Sequence, residues 1–384
     1  MIKTSGRSAI EPFHAMDVLA EATKRKRDGH PVISMAVGQP AHGAPRAVVD
    51  AARNALRTER IAYTDALGRL ELRERISRHY RTHYGVDVDA SRIAVTTGSS
   101  AGFNLAFLTM FNAGDRVAIT RPGYPAYRNI LTALGLEVVE IPAGQATDFT
   151  LSPGLLDEAA SRHGRISGVL LASPANPTGT VTARKALSAL IDYCDANRVT
   201  FLSDEIYHGL TYAGEETTAL SVSDRVLVIN SFSKYYCMTG WRIGWMVLPD
   251  AAIRPLERVA QSLYISAPEL SQIAACAAFD ATEELEAIKS GYVANRQLLL
   301  ERLPKIGFEI ASPMDGAFYA YVDAGRFTND SMQFSKTMLA EINVAATPGR
   351  DFDPVEGHRT IRFSYAGSHA EMEEALDRMA AWLS

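Results

Sequence analysis

Short apolar runs alternate with helix-period stretches through the middle of the chain. The runs fall at residues 92–96, 116–120, 136–141, 168–172, 199–203, 226–229 and 244–248. Each is short, rich in β-forming residues and bounded by polar or turn-forming positions, as expected of a buried strand. Between two of them, residues 183–197 set Ala186, Leu187, Leu190, Ile191 and Cys194 on one helical face, with Thr182 as candidate N-cap. Strand–helix alternation of this kind predicts an α/β domain: a mostly parallel, mixed sheet flanked by helices. Such sheets receive ligands at the carboxyl ends of their strands. The residues that follow each run are therefore the first candidates for chemistry.

The last third has a different rhythm. Helical periodicity runs through 269–303, then come short strand patterns at 317–322 and 360–364 and a closing helix at 370–383. This predicts a smaller α+β unit. The length of 384 residues is ample for two domains, and 47% apolar with 22% charged residues is the balance of a globular protein. A net charge of −5 gives no basic face for nucleic acid. The one dense basic run, Lys24-Arg-Lys-Arg27 before Gly29, reads as a solvated helix end. Cys194, Cys237 and Cys276 are too few and too far apart for a disulfide framework or a metal site. No apolar run suits a signal peptide or a bilayer crossing, so a cytoplasmic location is expected.

The densest chemistry lies in Ser231-Phe-Ser-Lys234-Tyr-Tyr-Cys-Met-Thr-Gly240-Trp-Arg242-Ile-Gly244. It sets one lysine in a turn between two apolar runs. An ammonium there is costly unless neutral, paired or covalently consumed. A Schiff base meets that condition, and a solvated loop lysine is the plain alternative. Val95-Thr-Thr-Gly98-Ser99-Ser100 ends one run and opens a helix through 103–111. Its backbone N–H groups could face an anion, or it is simply an N-capped helix. Asp204 follows the run at 199–203, either as a turn residue or as partner to a cationic nitrogen. Asn176, in Ser173-Pro-Ala-Asn176-Pro177-Thr-Gly179, reads on its own as a turn. Arg362 sits in Arg359-Thr-Ile-Arg362-Phe-Ser-Tyr365, where Ile361 and Phe363 should face the opposite way. That pattern also suits a surface arginine.

Taken in register, these segments resemble the class I/II aminotransferases, the fold-type-I pyridoxal-phosphate enzymes, along most of the chain. The resemblance implies that Lys234 holds pyridoxal 5′-phosphate as an imine and carries the substrate Cα proton. It implies that Asp204 pairs with the pyridine nitrogen, that Tyr207 and Asn176 meet the phenolic oxygen, and that Tyr124 stacks on the ring, with Tyr127 as packing. Ser99, Ser100, Ser231 and Arg242 would hold the phosphate. Gly38, Asn176 and Arg362 would meet the substrate carboxylate. Tyr63, in Tyr63-Thr-Asp-Ala-Leu-Gly68-Arg-Leu-Glu-Leu-Arg73, matches a tyrosine that reaches the phosphate of the other subunit, which implies a homodimer with shared sites. The family's division puts 46–285 in a large cofactor-binding domain, and 1–45 with 286–384 in a small one. No metal is implied.

The implied reaction moves an amino group between an L-amino acid and a 2-oxo acid by a ping-pong mechanism. A pyridoxal-phosphate lyase, other Cα chemistry and a non-catalytic regulator are the alternatives. A nicotinamide dehydrogenase would need a Gly-x-Gly-x-x-Gly after a strand, which this chain lacks. Gly38-Gln-Pro-Ala-His42-Gly departs from the Gly-Glu-Pro-Asp-Phe of related enzymes, so His42 either lines the pocket or is a solvated loop residue. Phe13 and Met16 point to an apolar substrate pocket.

Overall fold

A computed structural model describes residues 2–384. Thirteen strands follow in chain order. They are β1 (Ile33–Ser34), β2 (Ile93–Thr96), β3 (Arg116–Arg121), β4 (Glu137–Pro142), β5 (Gly168–Ala172), β6 (Thr200–Asp204), β7 (Leu227–Ser231), β8 (Gly244–Val247), β9 (Glu309–Ile310), β10 (Tyr319–Asp323), β11 (Val344–Ala345), β12 (Thr347–Pro348) and β13 (Thr360–Ser364). Seven of them form one sheet in the order β2-β8-β7-β6-β5-β3-β4. Only β8 runs antiparallel to its neighbours. The mostly parallel mixed sheet is therefore the one the alternation predicts, and each of the seven runs is one of its strands.

Both faces of this sheet are covered, which is why its strands read as continuous apolar runs. Side chains alternate between the faces. Val169, Leu171, Phe201 and Val228 enter one core layer, while Leu170, Leu202, Leu227 and Ile229 enter the other. The helices Gly98–Met110 and Asp250–Leu263 pack on the second layer. The helix at Arg184–Asn197 buries Leu187, Leu190, Ile191 and Cys194 in the first, as its periodicity predicts. Its N-cap is Ala183 rather than Thr182, and no side chain caps it.

A four-stranded sheet, β12-β13-β10-β9, forms a separate core with the helices Thr282–Ile306 and His369–Leu383. The helical stretch at 269–303 is two helices, Glu269–Ala278 and Thr282–Ile306. The second strand pattern, at 360–364, is β13; the first, at 317–322, begins later, as β10. The chain's start joins this unit: β1 pairs in parallel with β11, and the helix His14–Arg27 ends at the basic run, just before Gly29. No helix among the described residues is long and apolar enough to cross a membrane.

Candidate active site

The carboxyl ends of five strands of the large sheet converge on one cavity of about 210 Å³. β2 leads into Ser99 and Ser100, β3 into Tyr124, β5 into Asn176, β6 ends on Asp204 and leads to Tyr207, and β7 leads into Lys234. Arg362 enters from β13 and Gly38 from the loop after β1. Segments far apart in sequence thus meet where an open α/β sheet receives its ligand.

Lys234 Nζ reaches into the cavity and donates to the Gly38 carbonyl at 2.6 Å. Burial first, then the nearby Arg362 and Arg242 charges, lower its pKa from 10.5 to about 8, against the pull of Asp204. Asp204 is buried, and its own carboxyl is pushed up to about 6 by burial, despite bonds from Tyr127 Oη and the Ile206 N–H. A carboxylate kept so dry has its charge restored by an apposed cation. Tyr207 Oη lies 2.6 Å from Tyr319 Oη, and burial drives the Tyr207 hydroxyl pKa well up.

At one end of the cavity the helix Gly98–Met110 begins. Its N-cap, Thr97, makes no side-chain cap bond, so the first-turn N–H groups at Ser99 and Ser100 have no acceptor within the helix. The Arg242 guanidinium lies against Gly98: a Cβ built there, at φ +74, would stand 2.5 Å from Arg242 Nη2. Glycine leaves this cradle open, and free N–H groups with a planar cation suit a phosphate. Arg242 donates to the Thr239 carbonyl at 3.1 Å. Ser231 does not border the cavity. Its hydroxyl is buried, donates to the Ile243 carbonyl, accepts from the Ser233 N–H and lies 2.9 Å from Ser233 Oγ; Ser233 is the serine at the wall.

At the other end, Arg362 is only 3% exposed, so it is no surface arginine. Ile361 and Phe363 do face the opposite way, into the small core. Its guanidinium is held between the Tyr319 and Phe352 rings, at 4.3 and 4.6 Å from their centroids. One terminal nitrogen donates to Asn176 Oδ1 at 2.8 Å, and the other to Ala36 O and Thr347 Oγ1. Gly38 must be glycine here, because a Cβ would fall 1.7 Å from Tyr319 Oη. Phe13, Ala15 and Met16 from the chain's start complete the wall, with Phe13 edge-on to Tyr124 at 5.6 Å.

Two candidates lie elsewhere. Tyr63 is 79% exposed and outside the cavity of its own chain. His42 is exposed, beside Ala44 and Glu284, and does not line the cavity. Tyr127, read as packing, does pack edge-on against Tyr124, but it also borders the cavity and bonds Asp204. Tyr319 and Phe352 had no signal in sequence: Tyr319 meets Arg362 only once β10 and β13 pair, and Phe352 comes from the separate turn after β12.

Residues 30–379 match the family described as aminotransferase class I and II. The valine–pyruvate aminotransferase of Mycobacterium tuberculosis is 46% identical, over 98% of this chain and 97% of that one. A (5-formylfuran-3-yl)methyl phosphate transaminase of Methanocaldococcus jannaschii is 35% identical over 98% of each chain. A crystal structure of an aminotransferase from Mycobacterium tuberculosis superposes with a TM-score of 0.97 at 45% identity, covering 100% of this chain and 99% of that one. These matches do not favour the lyase or regulator alternatives. The chain belongs to the class I and II aminotransferases, pyridoxal 5′-phosphate enzymes that transfer an amino group between an amino acid and a 2-oxo acid.

Proposed function

We propose that this enzyme takes its amino group from an apolar aliphatic L-amino acid, valine among them, and passes it to pyruvate. The observation that carries this reading is the wall around the substrate end. Among the described residues, Lys234, Arg242 and Arg362 are the only cations bordering the cavity, and Phe13, Met16, Val37 and Ile206 supply apolar surface. With Arg362 assigned to the α-carboxylate, no cation among them remains for an acidic side chain. The named activity of the 46%-identical relative points the same way.

The residue roles follow from position. Ser99, Ser100 and Arg242 would hold the coenzyme phosphate, with Ser231 acting behind Ser233. Asp204 would hold the ring nitrogen, Tyr124 would stack on the ring, and Tyr207 and Asn176 would meet the phenolic oxygen. Asn176 spends its carbonyl oxygen on Arg362, which leaves its amide N–H groups for that contact. Arg362, backed by Gly38, would orient the substrate carboxylate. The coenzyme, once bound, supplies an electron sink for the pair left at Cα. Lys234 Nζ would hold the coenzyme at rest; once the donor's amino group takes its place there, the freed amine would take the Cα proton of the donor and return one to Cα when the 2-oxo acid is aminated. An amine with a pKa near 8 is suited to both steps.

The same reading takes residues 46–285 as the cofactor-binding domain, and 1–45 with 286–384 as the smaller one. It includes a homodimer in which Tyr63 of each copy reaches the phosphate of the other. The exposed apolar side chains Tyr63, Leu70, Leu108, Leu263, Tyr264 and Ile265 support this. Their segments adjoin through Thr64 N to Ser266 Oγ and Asn104 Nδ2 to Tyr264 Oη, and such a surface calls for a cover. Three unpaired cysteines fit a cytoplasmic enzyme.

The test is a donor screen against pyruvate, following the coenzyme absorbance. Valine and its aliphatic neighbours should exceed aspartate in kcat/KM by roughly tenfold or more. Aspartate as the better donor would refute the substrate class. Release of a 2-oxo acid without any acceptor, beyond one per site, would refute transamination itself.

A further inference from the structure

The helix His14–Arg27 begins with no cap of its own, because Phe13 at the N-cap position has no side-chain oxygen. A carboxylate from the far end of the chain serves instead. His14 N donates to Asp351 Oδ1 at 3.1 Å, and Ala15 N to Asp351 Oδ2 at 3.0 Å. Asp351 is buried. A carboxylate that accepts two first-turn N–H groups satisfies helix donors that would otherwise be orphaned, and it complements the helix dipole.

The turn that carries Asp351 is fastened on its other sides. Phe352 O accepts from Gly123 N at 3.0 Å, one residue before Tyr124. The Asp351 carbonyl accepts from Arg128 at 3.3 Å, and Asp353 pairs with Arg121 at 3.1 Å. The Phe352 ring lies under the Arg362 guanidinium. One short turn therefore touches the start of the N-terminal helix, the loop bearing Tyr124, and the arginine at the substrate end.

What the helix start carries matters for the site. Phe13, Ala15 and Met16 all border the cavity, and Met16 is 50% exposed on its other side. This segment is part of the cavity wall. Besides the edge-on contact of Phe13 with Tyr124, it is held near Phe13 by an exposed bond from Asn129 Nδ2 to the Glu11 carbonyl. Removing the Asp351 carboxylate would leave two N–H groups unpaired and weaken the hold on the segment.

We propose that Asp351 is a positioning residue that latches the N-terminal segment over the substrate end of the cavity. The latch sets how tightly the amino donor is held and leaves the proton transfer at Lys234 alone. It rests on the proposed function only for the identity of the donor.

The experiment uses the holoenzyme and the variants Asp351→Ala, Asp351→Asn and Phe13→Ala. Hydrogen exchange is read at residues 14–18, and kinetics are measured with whichever amino donor gives the wild type its highest kcat/KM. In Asp351→Ala, exchange at 14–18 should quicken about tenfold with the large sheet unchanged, KM should rise about tenfold, and kcat should stay within about twofold. Asp351→Asn keeps one acceptor and should fall between. Phe13→Ala should raise KM without altering exchange in the helix. Unchanged exchange in Asp351→Ala overturns the latch. Faster exchange with unchanged KM overturns its hold on the donor, and a fall in kcat alone would move Asp351 into the chemical step. Should Asp351→Ala fail to fold, Asp351→Asn carries both readings. A wild type that turns over no amino donor defeats the proposed function, and the exchange measurement still decides the latch.

Discussion

Lys234 owes its reactivity to what surrounds it. Burial, with the two guanidiniums of its cavity adding to it, lowers its pKa from 10.5 to about 8. Only the neutral amine is a nucleophile. In the apo-protein, the rate at which added pyridoxal 5′-phosphate bonds to the enzyme should rise with pH and level off, with its midpoint near 8. Arg362→Leu removes one of the cations that depress this amine, so the midpoint should move up toward the ordinary lysine value. Stopped-flow absorbance reads both profiles. A wild-type midpoint at the ordinary 10.5 would contradict the account. Lys234→Ala should abolish turnover altogether, and a near-normal rate would remove the lysine from the chemistry. Asp204 shows the opposite case: burial raises its pKa, and its hydroxyl partner is Tyr127. The resemblance gives Tyr127 only a packing role, yet both tyrosines border the cavity. The helix Pro125–Ala133 buries Tyr127 and sets its hydroxyl on Asp204, which no local pattern announces.

At the scale of elements, the cradle for an anion depends on where one helix begins. Gly98 takes a positive φ, and the Arg242 side chain fills the space where a Cβ would go. Gly98→Ala would strain the backbone by about 1 kcal/mol. It would also push the guanidinium, a flexible tip, away from the helix start. The fold should survive, while the coenzyme Kd should rise roughly tenfold, measured by absorbance titration. A Kd equal to wild type would show that Arg242 and this helix start do not act together. The strands that bring these groups together were legible because both faces of the sheet are buried, so each one appears as an unbroken apolar run. The residues after the strands were legible for the same reason, since the sheet order puts their ends together. Other features were not. The helix Arg184–Asn197 lacks a side-chain cap because it starts two residues after Thr182, which puts Ala183, with no side-chain oxygen, at the N-cap position. The break at 279–281 carries no glycine or proline to announce it. The Tyr319–Arg362–Phe352 stack depends on pairing between β10 and β13 and on the turn that carries Phe352, which no local pattern encodes.

Across the whole molecule, Tyr63 is the residue that one chain leaves unexplained. Like Leu263, Tyr264 and Ile265 it is exposed, and it does not border the cavity that its own chain builds. If a second copy covers these side chains, two-fold symmetry makes the contact reciprocal, and each Tyr63 serves the site of its neighbour. This arrangement can be tested by mixing two damaged enzymes. On the proposed roles, Lys234→Ala would lack the base, and Tyr63→Ala would hold the coenzyme phosphate weakly. In a mixed dimer, one site combines an intact Lys234 with the intact Tyr63 of the other chain, and the other site lacks both. Denaturing and refolding an equal mixture should therefore restore about a quarter of wild-type sites at limiting coenzyme, since half the dimers are mixed and each has one complete site. Neither variant alone should reach that level under the same conditions. If Tyr63 worked within its own chain, or if the protein were a monomer, mixing would give only the average of the two parents.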